Sequence, residues 1–237
     1  MTTLKADPNS IRQYPIGDPV NVASADLPGP VNLVGRFGQL AKLDADRHSA
    51  ALWDAVKRHD HIWTYMAYGP FADDAALSCW IHERAALADP YSFAILDRKG
   101  HALGVAALMA IRPSMRVIEV GNILLSPALQ RTPLATEIQY LLAQYAFETL
   151  GYRRYEWKCD ALNAASRGAA LRLGFTFEGV FRQHMIIKGR NRDTAWFAML
   201  DSDWPQRKLA FERWLAPDNF DEHGQQRARL GSLLVEN

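Results

Sequence analysis

The stretch from Val117 to Phe175 constrains the chain most. Val117–Leu125 (VIEVGNILL) is apolar and β-branched, the pattern of a buried strand. Ser126–Arg131 breaks that pattern, and Thr132-Pro133 supplies a helix N-cap followed by proline at the first helical position. Leu134, Ile138, Leu141, Leu142, Tyr145, Ala146 and Leu150 then recur at helical spacing until Gly151 stops the helix. Arg154–Asp160 alternates, with Tyr155, Trp157 and Cys159 on one face and charges on the other. Asn163 opens a second helix with Ser166 in its first turn, and Leu173-Gly174-Phe175 ends it.

A strand that feeds a helix through a short turn aims free backbone N–H groups at one point. The helix dipole adds about half a positive charge there. The pattern predicts an anion-binding turn, with Arg131 beside it as a side-chain cation. Taken alone, it better fits an ordinary strand–turn–helix unit, which is common in α/β domains.

With 237 residues, 49% of them apolar, the chain can bury one substantial core with extensions. A net charge of +1 argues against a nucleic-acid surface driven by bulk charge. Cys79 and Cys159 lack metal-ligand spacing and suit a reducing compartment. No run approaches a membrane span, and the N-terminus lacks a basic-then-apolar signal, so a cytoplasmic location is expected.

Residues 1–30 carry Pro8, Pro15, Pro19, Pro28 and Pro30 and read as an extended arm. Val31–Phe37 reads as the first strand of a domain spanning 31–200. Asp44–Arg58 reads as a helix with Leu52, Trp53 and Val56 toward the core. His59-Asp60-His61 has a metal-ligand look, but no third ligand is near, and a solvated loop fits better. Ile62–Phe71 is an aromatic-rich loop or strand before a helix at Asp73–Ala88. Tyr91–Asp97 and Ala102–Ile111 form a hairpin, and with Val117–Leu125 an antiparallel meander. Phe175–Ile187 and Asp193–Leu200 are strands joined by the basic turn Lys188–Arg192, which can greet an anion or simply sit in solvent. Residues 201–237 form a helical extension. Trp204-Pro205 starts an amphipathic helix with Leu209, Phe211, Trp214 and Leu215. The apolar end, Leu230, Leu233, Leu234 and Val235, is expected to dock on its own domain or on a second subunit, which makes a homodimer possible.

Ala161-Leu162-Asn163-Ala164-Ala165-Ser166, followed by Leu173-Gly174-Phe175-Thr176-Phe177-Glu178-Gly179, resembles the second half of a GNAT N-acetyltransferase of the RimL-like (RimJ/RimL) type. The similarity runs from about Val31 to Leu200. It implies an α/β (α+β) GNAT fold: a mixed, mostly antiparallel central sheet flanked by helices. It also implies acetyl-CoA as co-substrate, a primary amine of a small molecule or a peptide N-terminus as acceptor, and no metal, nucleic acid or membrane. The superfamily's acyl-CoA turn, Gln/Arg-x-x-Gly-x-Gly/Ala, reads here Gln130-Arg131-Thr132-Pro133-Leu134-Ala135. Both usual glycines, which let backbone approach a pyrophosphate closely, are missing or replaced, and Pro133 removes one donor.

By this resemblance Ile123, Leu124, Leu125, Gln130, Arg131, Thr132, Leu134, Ala135, Thr136, Asn163 and Ser166 are the acetyl-CoA candidates, with Thr132 offering a hydroxyl. Trp63, Tyr65 and Tyr68 are candidates for the acceptor pocket, though core packing explains each as well. An amine attacking a thioester must lose a proton, and the departing thiolate must gain one or be stabilised. Glu119, a carboxylate in an apolar strand, is the first candidate base, because burial raises a carboxyl pKa toward a useful range. The alternative for Glu119 is an outward-facing strand residue. His184 is the second candidate base, or a partly buried structural histidine. Ser166 is the candidate acid near the CoA sulfur, and equally a helix cap. Tyr145 and Tyr152 are alternative hydroxyl donors. Backbone N–H groups near Ile123 or Leu124 suit the oxyanion. The rival to an enzyme is a non-catalytic acyl-CoA-binding or sensing module. A nucleotide-binding domain is a third reading, which the Asn163…Ser166…Leu173-Gly174-Phe175 pattern disfavours.

Overall fold

The computed structural model describes residues 15–234. Eight strands form one sheet in the order β1-β2-β3-β4-β5-β6-β8-β7. They are β1 (Leu33–Val34), β2 (Gly38–Lys42), β3 (Tyr91–Asp97), β4 (Ala102–Arg112), β5 (Val117–Leu125), β6 (Arg154–Asp160), β7 (Thr176–Ile187) and β8 (Arg190–Leu200). Every neighbouring pair is antiparallel except β5 and β6, which are joined by a crossover helix. Helices α1 (Ala45–Val56) and α2 (Asp74–Ala85) pack on one face, where Leu52, Val56, Leu77 and Ile81 meet Leu96, Val105 and Leu124. Helices α3 (Pro133–Gln144), α4 (Ala164–Arg172), α5 (Trp204–Leu215) and α6 (Leu230–Leu233) serve the other face, with Ile138, Ala170, Phe211 and Leu230 packed among Ile118, Val120, Tyr155 and Phe197.

Local chemistry sets the helix ends. Asp44, Asp73, Thr132 and Asn163 are N-caps whose side chains accept a backbone N–H three residues on. Helix α3 passes into a π-helical turn at Tyr145–Thr149, and Gly151, at φ 76°, reverses the chain into β6.

Several expectations change. Val31–Phe37 is not one strand: only Leu33 and Val34 pair, and the sheet resumes at Gly38–Lys42. The cause is Glu137 on α3, which is buried with its carboxylate under the turn. It accepts the N–H groups of Arg36 at 2.6 Å, Phe37 at 2.7 Å and Gly38 at 3.2 Å. Gly35 passes so close that a Cβ there would lie 2.3 Å from the Glu137 carboxyl carbon. The alternation in β6 puts charges on one face, but Glu156 is buried rather than solvated. Leu209 on α5 is exposed, and the core positions of that helix are Trp204, Ala210, Phe211 and Trp214. Leu230 and Leu233 of the C-terminal segment pack into the chain's own core, while Val235 lies outside the described residues. Residues 15–24 of the arm carry no regular structure, Ala25 is buried, and residues 1–14 lie outside the described range.

Glu137→Ala is expected to destabilise the fold by about 2–4 kcal/mol, because three backbone donors lose a charged acceptor. For a chain of this size that is a drop in Tm of roughly 5–15 °C by calorimetry. A Tm unchanged from the parent would mean that the turn holds without the carboxylate.

Candidate active site

Strands β5 and β6 pair only over Val117↔Arg154, Ile118↔Tyr155, Glu119↔Glu156 and Val120↔Trp157. Beyond Val120 and Trp157 they part. A bulge in β5 accompanies the parting: Asn122 sits at φ 50°, and the β4 register jumps from Ala107↔Gly121 to Val105↔Leu124. The bulge also switches faces, since Ile118 and Val120 belong to the α3 side whereas Leu124 belongs to the α1–α2 side. The opposed edges, Gly121–Leu125 and Lys158–Asp160, form a cleft lined by backbone groups with no ladder partner across it.

The start of α3 follows β5 through the turn at 126–132. Thr132 Oγ1 accepts the Ala135 N–H at 3.2 Å and donates to the Leu129 carbonyl at 2.7 Å, so the hydroxyl expected to greet CoA is already engaged. Gln130 Nε2 donates to the Leu125 carbonyl at 3.0 Å and braces the turn. Arg131 takes the left-handed φ of 61° that glycine usually supplies. Of the N–H groups that a helix start leaves unpaired, Pro133 has none and Ala135 is capped, leaving those of Thr132 and Leu134. Arg172 on α4 reaches the same helix start, with Nη1 3.2 Å from Thr136 Oγ1. Sequence reasoning missed it, because its helix lies far along the chain. Two backbone donors, the dipole of α3 and two arginines suit an anion such as a diphosphate.

Beside the parting point lies a buried charge cluster. Lys158 Nζ is 2.9 Å from Glu119 Oε2 and 3.0 Å from Glu156 Oε2, and sits 3.9 Å from the centre of the Trp196 ring. Glu156 also receives Arg154 Nε at 2.8 Å and Arg112 Nη2 at 2.9 Å. Burial pushes the Glu119 carboxyl up from its ordinary value, and Lys158 offsets this only in part. Burial acts on Glu156 too, but Arg154, Lys158 and Arg112 outweigh it and hold its carboxyl below the usual range. One carboxylate is thus held as a fixed anion and its neighbour is left able to take a proton. The partners of Glu119 were not legible from the sequence. Alternation places Glu156 and Lys158 on one face of β6, but only the β5–β6 register puts Glu119 beside them.

The remaining candidates are distributed around this centre. Ser166 is the first-turn residue of α4. Its N–H goes to Asn163 Oδ1 at 3.0 Å, and its Oγ accepts the Trp157 indole N–H at 3.0 Å. His184 lies on the exposed strand β7, with Nδ1 2.9 Å from Thr194 Oγ1, and its ring packs near Trp196. Trp63 is only 2% exposed and belongs to the core under α1 and α2. Tyr68 packs on Trp80, and burial raises its phenol well above the ordinary range. Tyr65 is exposed, and its hydroxyl reaches the Leu162 carbonyl at 3.2 Å, while Lys188 Nζ donates to the Trp63 carbonyl at 3.0 Å. The 60–68 loop therefore bridges to the β6–α4 connection and to the β7–β8 hairpin tip. Tyr145 Oη accepts the Gly29 N–H, and Tyr152 lies beyond the far end of α3, so neither hydroxyl stands at the parting point. His59 and His61 face each other edge-on, and no group of three potential ligands is arranged for a metal among the described residues. A surface depression of about 530 Å³ between α1 and the 60–72 loop, lined by Trp53, Lys57, Arg58 and Phe71, holds none of these residues.

Lys158→Met removes the cation shared by two buried carboxylates, and is expected to cost about 3 kcal/mol or more. Glu119, whose folded pKa is already raised, then rises further. The group favours the fold while protonated, and that contribution is lost as pH climbs from its ordinary 4.5 through the folded value. The Tm deficit of the variant should therefore be larger at about pH 8 than at about pH 5, measured by thermal melts. An equal deficit at both would contradict this electrostatic account.

Comparison with known proteins gives a consistent result. A family model described as an acetyltransferase (GNAT) domain matches residues 39–176. A GCN5-related N-acetyltransferase from Brucella melitensis is 44% identical, with 91% of this chain and 99% of that one covered and a TM-score of 0.89. A probable GNAT-family acetyltransferase from Chromobacterium violaceum is 41% identical, covering 81% of this chain and all of its own, with a TM-score of 0.75. The fold is also that of an acetyl transferase from Salmonella typhimurium, described as modifying the N-terminal serine of a 50S ribosomal subunit protein, at 22% identity and a TM-score of 0.62, over 72% of this chain and 99% of that one. No curated protein matches. No helix among the described residues is long and apolar enough to cross a membrane. The chain belongs to the GNAT family and is an acyl-CoA-dependent acetyltransferase.

Proposed function

We propose that the protein moves the acetyl group of acetyl-CoA to the primary amine of a small molecule or a peptide N-terminus by direct attack, with Glu119 as base. The observation that carries this reading is the position of Glu119. It is a buried carboxylate with a raised pKa, and it stands one residue before β5 and β6 part. The neighbour that modifies an N-terminal serine is the reason to test peptide amines beside small ones. A cytoplasmic setting suits the two free thiols, Cys79 and Cys159.

In this reading the Thr132 and Leu134 N–H groups, Arg131 and Arg172 hold the diphosphate, and the unpaired edge of β5 holds the extended chain that leads to the thioester. Glu119 takes a proton from the acceptor ammonium, directly or through water, which frees the nitrogen lone pair. A new N–C bond forms as the C–S bond breaks, and the acylated nitrogen sheds its second proton to water. Backbone N–H groups of the bulged segment, at Ile123 or Leu124, face the developing oxyanion. The Ser166 hydroxyl gives its proton to the departing sulfur. Lys158 opposes the rise that burial imposes on the Glu119 carboxyl, and Glu156 keeps Lys158 in place.

Glu119→Gln is expected to lower kcat about a hundredfold or more while leaving acetyl-CoA affinity nearly unchanged. Because Glu119 must be ionised to act and its pKa is raised, the parent should lose activity on the acidic side, at a pH above the ordinary carboxyl range of 4.5. The variant should lack that limb. Steady-state rates against pH with a panel of primary amines check this, and an unchanged profile would move the role to His184 or to bulk water.

A further inference from the structure

Ser166 is not a free hydroxyl. An indole N–H is a donor only, so the 3.0 Å contact from Trp157 Nε1 makes Ser166 Oγ the acceptor. The Asn163 side chain separately holds the Ser166 N–H at 3.0 Å, which fixes the backbone beneath that hydroxyl. The other near partner is the Cys159 thiol. Cys159 and Trp157 are both 6% exposed. Burial pushes the Cys159 thiol up, so it keeps its proton and is a weak acceptor. Trp157 itself cannot swing: its ring packs edge-on against Phe175 at 5.6 Å, and its backbone is the last residue of β6 paired to β5.

We propose that Trp157 is a positioning residue for departure of the thiol. Its indole N–H holds the Ser166 oxygen at the parting point and leaves the hydroxyl proton free for the leaving sulfur. The inference rests on Ser166 being the group that protonates that sulfur. In the step, the C–S bond breaks with its electrons going to sulfur, the Ser166 O–H bond breaks, and an S–H bond forms. The Trp157 N–H stabilises the negative charge that gathers on Ser166 Oγ, and water relays to that oxygen the proton shed by the newly acylated nitrogen. Without the indole, the hydroxyl is free to rotate and is a weaker acid. A charged thiolate is a stronger hydrogen-bond acceptor than the neutral Cys159 thiol, so the proton goes to the leaving group.

Trp157→Phe keeps an aromatic ring against Phe175 and deletes only the donor. Two measurements test the proposal. In the ¹⁵N-indole spectrum of the protein's 7 tryptophans, the resonance missing from Trp157→Phe should move in Ser166→Ala. With the best-used amine of a panel of amino sugars, polyamines and seryl peptides, Trp157→Phe should lower kcat about tenfold with acetyl-CoA at nearly constant KM. It should recover with an acetyl thioester of a more acidic aromatic thiol, and it should add nothing in a Ser166→Ala background. A slow Ser166→Ala with a fully active Trp157→Phe would overturn the role of Trp157 and leave that of Ser166 standing. A fully active Ser166→Ala would overturn both. Independent, multiplicative losses, or equal defects with both donors, would also overturn the proposal. Should Trp157→Phe fail to fold, the Ser166→Ala spectrum decides alone: if none of the tryptophan indole signals moves, the hydrogen bond is absent and the proposal falls.

Discussion

The loss of pairing between β5 and β6 after Val120 and Trp157 is the constraint on which the site depends. Each strand is drawn toward a different neighbour. Past its bulge, β5 stays laddered to β4 through Leu124 and Leu125, while β6 stays laddered to β8 as far as Asp160↔Thr194. Backbone polar groups inside a sheet normally find partners, so an interior gap is costly unless something extended fills it. The gap opens beside the start of α3, which is where an anionic end of such a molecule gains most from the helix dipole. One crossover connection therefore supplies both the slot and the charge.

The second consequence is electrostatic. Glu119 and Glu156 face each other across the last paired residues and share Lys158. Two buried carboxylates this close would repel, and the cluster holds because Glu156 is also ringed by Arg154 and Arg112. A cation shared between two anions cannot neutralise both. The surplus of positive partners lies with Glu156, so burial governs Glu119. The raised pKa of Glu119 is then a property of the whole cluster, and changes at Arg112 or Arg154 should shift it from a distance.

The strand–turn–helix–strand–helix unit was legible in the sequence because its signals are local: β-branched runs, the Thr132-Pro133 start, the Gly151 stop and the Asn163 cap. The site was legible only in part. Glu119 and Ser166 stand out as polar groups in apolar or capped contexts; Glu119 lies one residue before the strands part, and Ser166 accepts the indole N–H of Trp157, the last β6 residue paired to β5. Lys158, Trp157 and Arg172 went unseen because their roles arise from cross-strand register or from helices brought together by the fold. From the sequence Trp63 suits a pocket or the core alike, because aromatic loops serve either role, and its burial under α1 and α2 puts it in the core. Val31–Phe37 reads as one strand because the device that interrupts it, Glu137, lies 100 residues downstream of Phe37.

In the proposed reading the acetyl donor lies between the parted strands and against the start of α3, despite the absent glycines. Hydrogen exchange by mass spectrometry, with and without acetyl-CoA, tests this most directly. Exchange should slow mainly in peptides covering 121–136 and 157–172, with the β1–β3 half of the sheet unchanged. Saturating acetyl-CoA that left those two segments exchanging as before, or that protected the depression beside α1 instead, would contradict it.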